Sequence, residues 1–209
     1  MSSFVIKVMA CVFMLIDHVG FMFFPNEAIL KTIGRLAFPL FAWQVSVGCK
    51  HTSNIKNYIA RLCIFALISQ IPFMLAVTPN KLNIFFTLVF GACCIYIYLK
   101  LNNKFISLFA ILPIIIASEF LKCDYGAYGV VTIFLFYIFF DKKAFVWVSQ
   151  FVVTVIYSLA GLVPIQIYSL IALGPISLYN GRKGPQAKYV FYIFYPAHLL
   201  VLYFIKRLV

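Results

Sequence analysis

Three ionisable residues lie close together in otherwise apolar surroundings near the start of the chain. Asp17 and His18 interrupt the run KVMACVFMLIDHVGFMFFP, and Arg35 interrupts the later run IGRLAFPLFAWQVSVGCKH. A charged side chain at the centre of a bilayer costs about 2.5 to 3.5 kcal/mol on insertion scales, so such a group usually has a partner and a function. Histidine exchanges protons near neutral pH, which makes His18 a candidate general base.

Helical geometry limits how these three groups can meet. Asp17 and His18 are adjacent, so on a helix they point about 100° apart, and another helix must orient His18. Asp17 and Arg35 lie at similar depth and are expected to pair, either as a structural ion pair between two helices or as part of a site. Lys7 precedes His18 by three helical turns, which predicts both on one face about 16 Å apart.

Further polar residues are expected in the same outer layer of the membrane as Asp17 and His18, within a helix, at a helix mouth or in an outer loop. These are Gln70, Asn83, Asp124 and Tyr125. His198 follows Pro196 in the last apolar run, and a proline inside a helix frees a backbone carbonyl. His198 could therefore line the same cavity as His18 or bond that carbonyl.

The composition predicts an all-α, polytopic membrane protein that forms a single domain over 1–209. Of the 209 residues, 65% are hydrophobic and 11% are charged, and the mean hydropathy is +1.04. These values exclude a soluble globular domain. The net charge of +12 does not indicate nucleic-acid binding, because Lys and Arg occupy short gaps between apolar runs. The six cysteines lack metal-ligand spacing and are expected to be free thiols, so no metal is predicted.

About nine apolar segments are long enough to be candidate membrane spans, within a range of eight to ten. They are 4–24, 29–48, 57–77, 84–100, 104–121, 126–140, 143–161, 164–180 and 188–207. The tight turn at 161–164 suggests that the seventh and eighth could form one broken element. The first segment has no small-residue cleavage site and is expected to stay as an uncleaved helix.

The distribution of Lys and Arg predicts the orientation. The basic loops at 49–57, 100–104, 141–143 and 180–188 are expected to be cytoplasmic, and so is the N-terminus. The protein is therefore expected in the cell (inner) membrane. The basic residues could serve only as topology determinants, or they could also hold an anionic cofactor. The glycine-rich, basic segment YNGRKGP at 179–185 would let a backbone approach phosphates.

Eight segments together resemble the TraX family of membrane N-acetyltransferases over nearly the whole chain. They are MLIDHVG, IGRLAFPLFAW, His51, YIARLCIFALISQIPF, NIFFTLVFG, DYGAYGV, LYNGRKGP and KYVFYIFYPAHLL. The named member of that family acetylates the N-terminus of conjugative pilin. More distantly, Lys7 and His18, with ten residues between them, and FPLF at 38–41 are similar to acyltransferase family 3, whose first-helix histidine is catalytic. The chain has no appended periplasmic domain of the kind found there, which argues against a bulky carbohydrate acceptor.

The resemblance and the residues lead to one hypothesis. Acetyl-CoA binds from the cytoplasmic side, and His18 deprotonates an acceptor amine or hydroxyl at the outer layer, as in a pilin-like peptide or a small glycan or lipid. Arg35 or a nearby amide stabilises the oxyanion, and Asp17 positions Arg35. An acetyl-histidine intermediate is equally open. The alternatives are a proton-coupled carrier that uses Asp17, His18 and Arg35 as its relay, and a purely structural membrane subunit.

The hypothesis assigns two sets of binding residues. The residues expected to contact acetyl-CoA are Lys7, Lys50, His51, Arg61, Arg182, Lys183 and Lys188. The residues expected to contact the acceptor are Gln70, Asn83, Asp124, Tyr125 and His198.

Overall fold

A computed structural model describes residues 1–160, 163–185 and 187–208. The helices are α1 Ser3–Phe23, α2 Ala28–Gly34, α3 Ala37–His51, α4 Ile55–Ala76, α5 Ile84–Lys100, α6 Lys104–Phe120, α7 Gly126–Ile138, α8 Lys143–Leu159, the 3-10 helix η1 Pro164–Ala172, α9 Leu173–Ser177 and α10 Lys188–Leu208. Within the described ranges the only β pairing is an isolated bridge between Leu82 and Cys123. The predicted all-α class is confirmed. Residues 161–162, where a hinge was predicted, lie outside the described part.

Three of the described helices are long and apolar enough to cross a membrane. They are α1, α4 and Tyr189–Leu208 of α10. The helices α5, α7 and α8 and the segment Pro164–Ser177 are apolar but shorter. Large apolar side chains cover much of the outside of the bundle, for example Leu67, Phe105 and Phe120. Such a surface suits lipid and not water, so the chain is a membrane protein. The predicted count of nine spans stays a prediction.

Two of the predicted spans are not continuous helices. The segment expected at 29–48 divides into α2 and α3, with a turn at Arg35 and Leu36. Pro39 explains the break, because it has no N–H to bond the carbonyl of Arg35 and fits the first turn of a new helix. The segment expected at 164–180 divides into η1 and α9. Pro175 likewise cannot bond the carbonyl four residues before it, which breaks the α-helical ladder there.

Hydrogen bonds between distant segments define two opposite faces of the bundle. At one face, Ser3 N–H donates to the carbonyl of Arg182 (2.9 Å), the ammonium of Lys143 donates to the carbonyl of Ser177 (2.9 Å), and Lys50 pairs with Asp141. We call this the basic face. At the other end of α1 lies the opposite face, where the loops before α5 and α7 are joined through the bridge of Leu82 with Cys123.

The helix α1 packs at the centre of the bundle, where other helices can bring residues beside it. α1 packs against α2, α3 and α10, while α3 also packs against α7. Fully buried aliphatic side chains on four of these helices form the core between them: Ile6, Leu40, Ile133 and Leu199. Because α1 and α10 are in direct contact, residues far apart in sequence meet across that interface.

Candidate functional site

A histidine pair joins the first and last helices. Nδ1 of His18 lies 2.8 Å from Nε2 of His198, and the two rings are 5.0 Å apart between centroids. Nδ1 of His198 lies 2.7 Å from the carbonyl oxygen of Phe194. The expectation that another helix orients His18 is confirmed, and α10 is that helix.

The carbonyl of Phe194 determines the tautomers along this chain of bonds. A carbonyl oxygen only accepts, so Nδ1 of His198 must carry the proton that it donates. Nε2 of a neutral His198 is then an acceptor, and Nδ1 of His18 must donate to it. Nε2 of a neutral His18 is left with a lone pair. No described residue forms a hydrogen bond with that atom, so His18 is set up to accept a proton from a ligand.

The position of His198 in the structure differs from both interpretations that the sequence allowed. It does not line the cavity described below. The carbonyl that Pro196 frees is that of Tyr192, four residues earlier, whereas His198 bonds the carbonyl of Phe194. Its ring instead orients His18, because residue 198 lies on the α10 face that contacts α1. Its predicted contact with the acceptor stays a prediction.

Asp17 and Arg35 form the expected ion pair. Nη2 of Arg35 lies 2.8 and 3.0 Å from the two carboxylate oxygens of Asp17, and each side chain is 21% exposed. Gly34 permits this approach, since a Cβ there would lie 2.1 Å from an Asp17 oxygen. Among the described residues no hydrogen bond involves Nη1 of Arg35. Arg35 therefore keeps donors for a further ligand.

The predicted acceptor residues Asp124 and Tyr125 lie beside this pair. The guanidinium of Arg35 is 6.0 Å from the ring of Tyr125, which stacks on Phe38 at 4.0 Å. Tyr125 has φ +63° immediately before α7, which turns the chain into that helix. Burial raises the pKa of the Asp124 carboxyl, and the nearby Lys81 and Arg35 oppose that rise. Asp124 thus lies in the electrostatic surroundings of the ion pair.

Gln70 and Asn83 have structural partners. The amide of Asn83 donates to the carbonyl of Ala66 (2.7 Å) and to Oε1 of Gln70 (2.9 Å), and its oxygen caps α5. The amide of Gln70 donates to the carbonyl of Lys81 (2.9 Å). Asn83 is fully buried. These bonds hold the loop before α5 against α4, and a contact of either residue with the acceptor stays a prediction.

A cavity of about 400 Å³ opens at the basic face and extends into the bundle. Four residues from the set expected to contact acetyl-CoA line it: Lys7, His51, Arg61 and Lys183. Aromatic rings of the wall hold two of these cations, with Lys7 5.5 Å from the Phe191 ring and Arg61 5.8 Å from the Tyr58 ring. The mouth of the cavity is therefore positively charged.

The cavity is apolar farther in, and its inner end approaches the histidine pair. It reaches from Ser3 to Met14 along α1, which is about 16 Å at 1.5 Å per residue. Met14 and His18 are four residues apart on one helix face, about 6 Å along the axis. Tyr195 also lines the cavity, and its ring lies 6.3 Å from the ring of His18 and 5.7 Å from that of His198.

Two other residues of the acetyl-CoA set, Lys50 and Arg182, do not line the cavity. Lys50 pairs with Asp141 and lies 4.4 Å from the Phe140 ring. The carbonyl of Arg182 accepts the N–H of Ser3. The side chain of Lys188 lies outside the described part. Contacts of these three residues with a cofactor stay predictions.

Sequence reasoning overlooked the residues at the inner end of the cavity, above all Tyr195 and Phe85. Tyr195 is 4% exposed, and its ring packs edge-on against Phe85 at 5.4 Å. A signal for Tyr195 was present, since it stands three residues before His198 and so on the same face of α10. Nothing in the local sequence pointed to Phe85, whose position depends on how α5 packs.

Comparison with known proteins places this arrangement in a family. A family model described as "TraX protein" matches residues 2–206. The chain belongs to the TraX family. A related protein of Dichelobacter nodosus, described as "Probable fimbrial assembly protein FimC, serogroup H1", is 26% identical over 232 residues, which cover 96% of this chain and 94% of that protein. No solved structure matches.

Within this TraX protein the match includes every part of the site. The range 2–206 contains the histidine pair, the Asp17–Arg35 pair and the described lining of the cavity. The site is therefore built from the segments that the family shares, and not from an appended region.

Proposed function

We propose that this TraX protein is a membrane acetyltransferase that moves an acetyl group from acetyl-CoA to an amine or hydroxyl. One observation carries the proposal: a cavity with a basic mouth ends one helical turn from His18, whose Nε2 is set up as a base. The cationic mouth suits the phosphates of CoA. The apolar interior suits a pantetheine arm that would bring the thioester toward the histidine pair.

The chemistry needs a base and a donor to the oxyanion. As the acceptor attacks the thioester carbonyl, Nε2 of His18 takes its proton, and His198 holds the imidazole in the required tautomer. Arg35 stabilises the oxyanion through donors that the Asp17 bond leaves available. The tetrahedral intermediate then collapses, the C–S bond breaks, and the thiolate leaves with the proton from His18. A route in which His18 itself accepts the acetyl group is equally compatible with these contacts.

We also propose that the basic face is cytoplasmic and that the chain crosses the inner membrane about nine times. The Lys and Arg of this face support that orientation through the positive-inside rule. A single cysteine introduced at position 183 should then resist a membrane-impermeant maleimide in intact cells, while one at position 122 should react. Labelling of position 183 from outside would reverse the orientation and exclude entry of cytoplasmic acetyl-CoA through this mouth.

The acceptor is best sought among pilin subunits. The named TraX protein acetylates a pilin N-terminus, and the Dichelobacter relative is described as a fimbrial assembly protein. A pilin N-terminal amine on the outer side could approach the end of α1 where Asp17 and Arg35 lie. A hydroxyl on a small glycan or lipid is the second acceptor class that the same base could activate.

The test is transfer by the purified protein in lipid nanodiscs. Radiolabelled acetyl-CoA would be supplied with a pilin N-terminal peptide, the same peptide with a blocked amine, or no peptide. We expect label on the free-amine peptide, and its absence with the His18→Ala variant. If wild-type protein binds no CoA and transfers no label to peptide, lipid or glycan, while proton flux appears in liposomes, the protein is a carrier and this proposal is wrong.

A further inference from the structure

We infer that Tyr195 limits the length of the acyl group that this TraX protein can transfer. The inference rests on the proposed function and adds a specificity-determining residue to it. Among the described residues, Tyr195 belongs both to the lining of the cavity and to the ring contacts of the histidine pair. It therefore occupies the position toward which the leading end of a donor would point.

The ring of Tyr195 is held from several sides. It packs edge-on against Phe85 at 5.4 Å, and it contacts the rings of His18 at 6.3 Å and His198 at 5.7 Å. It is 4% exposed, so its ring is buried among these neighbours. A tightly packed aromatic ring behaves as a fixed wall, because overpacking such a site is costly.

The position of this wall relative to His18 sets the available length. The thioester carbonyl must come within reach of a nucleophile that His18 deprotonates. The part of the acyl chain beyond that carbonyl must then fit against Tyr195, Phe85 and Met14, which line the cavity near the histidine pair. An acetyl group adds one methyl beyond the carbonyl. A butyryl group adds two methylenes more, and these would meet the Tyr195 ring.

The experiment compares donors of different length on variants of this one side chain. Wild-type protein in nanodiscs should use butyryl-CoA at least about tenfold less well than acetyl-CoA, since one methylene in an apolar pocket is commonly worth 10- to 200-fold. Tyr195→Ala should raise the ratio of butyryl to acetyl transfer, in kcat/KM, by about tenfold or more. Tyr195→Phe keeps the ring and should leave the ratio unchanged.

Two further variants keep the test decisive. Tyr195→Leu opens less space than Tyr195→Ala and should shift the ratio in the same direction. It replaces Tyr195→Ala in the test if that variant does not fold. Tyr203 lies about two turns farther along α10 and does not line the cavity, so the control variant Tyr203→Ala should behave like wild type. Gel filtration of each variant would establish that it is folded.

The outcomes separate this inference from the proposed function. Acetyl transfer with an unchanged donor ratio in Tyr195→Ala and Tyr195→Leu would overturn the inference and leave the acetyltransferase intact. Loss of acetyl transfer in Tyr195→Phe would also overturn it, because the hydroxyl and not the ring would then matter. Absence of transfer from either donor in the folded wild-type protein would overturn the proposed function itself.

Discussion

Nδ1 of His18 and Nε2 of His198 lie 2.8 Å apart, although 180 residues separate them in the chain. The bond from Nδ1 of His198 to the carbonyl of Phe194 fixes the direction of donation along the pair. A base held in one tautomer by a second group is the arrangement that activates nucleophiles in many unrelated transferases and hydrolases. The first two predictions follow from this relationship.

Replacing His18 should remove the chemical step and leave cofactor binding. We expect His18→Ala to lower kcat by roughly 10²- to 10⁴-fold, the usual contribution of a general base. Affinity for CoA, measured by calorimetry in nanodiscs, should change little, because His18 does not line the cavity. A variant with more than about a tenth of the wild-type kcat would rule out His18 as the base.

Replacing His198 should test a positioning role. His198→Leu removes the acceptor for Nδ1 of His18, so kcat should fall by roughly 10- to 100-fold, by analogy with the loss of a partner that orients a metal-bound histidine. The KM for acetyl-CoA should stay constant. His198→Gln offers an amide oxygen in place of the ring nitrogen and should recover part of the rate. If His198→Leu and His198→Gln reduce kcat equally, the ring of His198 acts by packing alone and not as a hydrogen-bond acceptor.

Removing one member of the Asp17–Arg35 pair should leave an uncompensated charge at low dielectric. Asp17→Asn or Arg35→Gln should each lower the free energy of unfolding by about 3 kcal/mol, the lower end of the usual range because both side chains are partly exposed. Gly34→Ala should act similarly, since its methyl would overlap the carboxylate. Thermal unfolding in detergent would measure these changes.

The double variant Asp17→Asn, Arg35→Gln separates structure from chemistry. Its stability should exceed that of either single variant, because no orphan charge remains. A stable but inactive double variant would support Arg35 as the oxyanion donor. A stable and active one would limit the pair to joining α1 and α2. Equal stability of single and double variants would contradict any coupling between the two residues.

The basic mouth should affect donor binding and not turnover. Arg61→Gln and Lys183→Gln should each raise the KM for acetyl-CoA severalfold at low salt while kcat stays within about twofold, because they act on phosphates far from the reacting atoms. Lys100→Gln is the matched control, since Lys100 is outside the cavity lining. A drop in kcat without a change in KM would exclude the mouth as a phosphate site.

The stability of the protein should depend on pH through the buried carboxyl of Asp124. Burial raises the pKa of the Asp124 carboxyl, so the folded protein holds this proton more tightly than the unfolded chain does. Its contribution to stability is therefore lost as the pH rises from the ordinary aspartate value through the raised one. Asp124→Asn should flatten that part of the stability profile and preserve stability at pH 7. A destabilised Asp124→Asn at pH 7 would mean that the carboxylate is needed in ionised form.

The sequence alone determined the class of this protein and part of its site. Apolar runs of helical length predicted an all-α membrane protein, because the length and hydrophobicity of a run are local properties of the sequence. Equal depth along two helices predicted that Asp17 meets Arg35, since rise per residue is a local quantity. One of the two interpretations of the basic residues was an anionic cofactor at one face. Four residues of the set expected to contact it, Lys7, His51, Arg61 and Lys183, line the cavity, and their contact with a cofactor stays a prediction.

Only the tertiary structure decided which helix orients His18 and where the cavity ends. His198 and Tyr195 meet α1 because α10 returns beside it, and that contact spans almost the whole chain. The breaks at Arg35 and within 164–177 also depend on how prolines end one helix and start another in packed surroundings. Periodicity and depth fix a residue's level in the membrane. They do not fix which neighbouring helix faces it, because that depends on packing among all the helices at once.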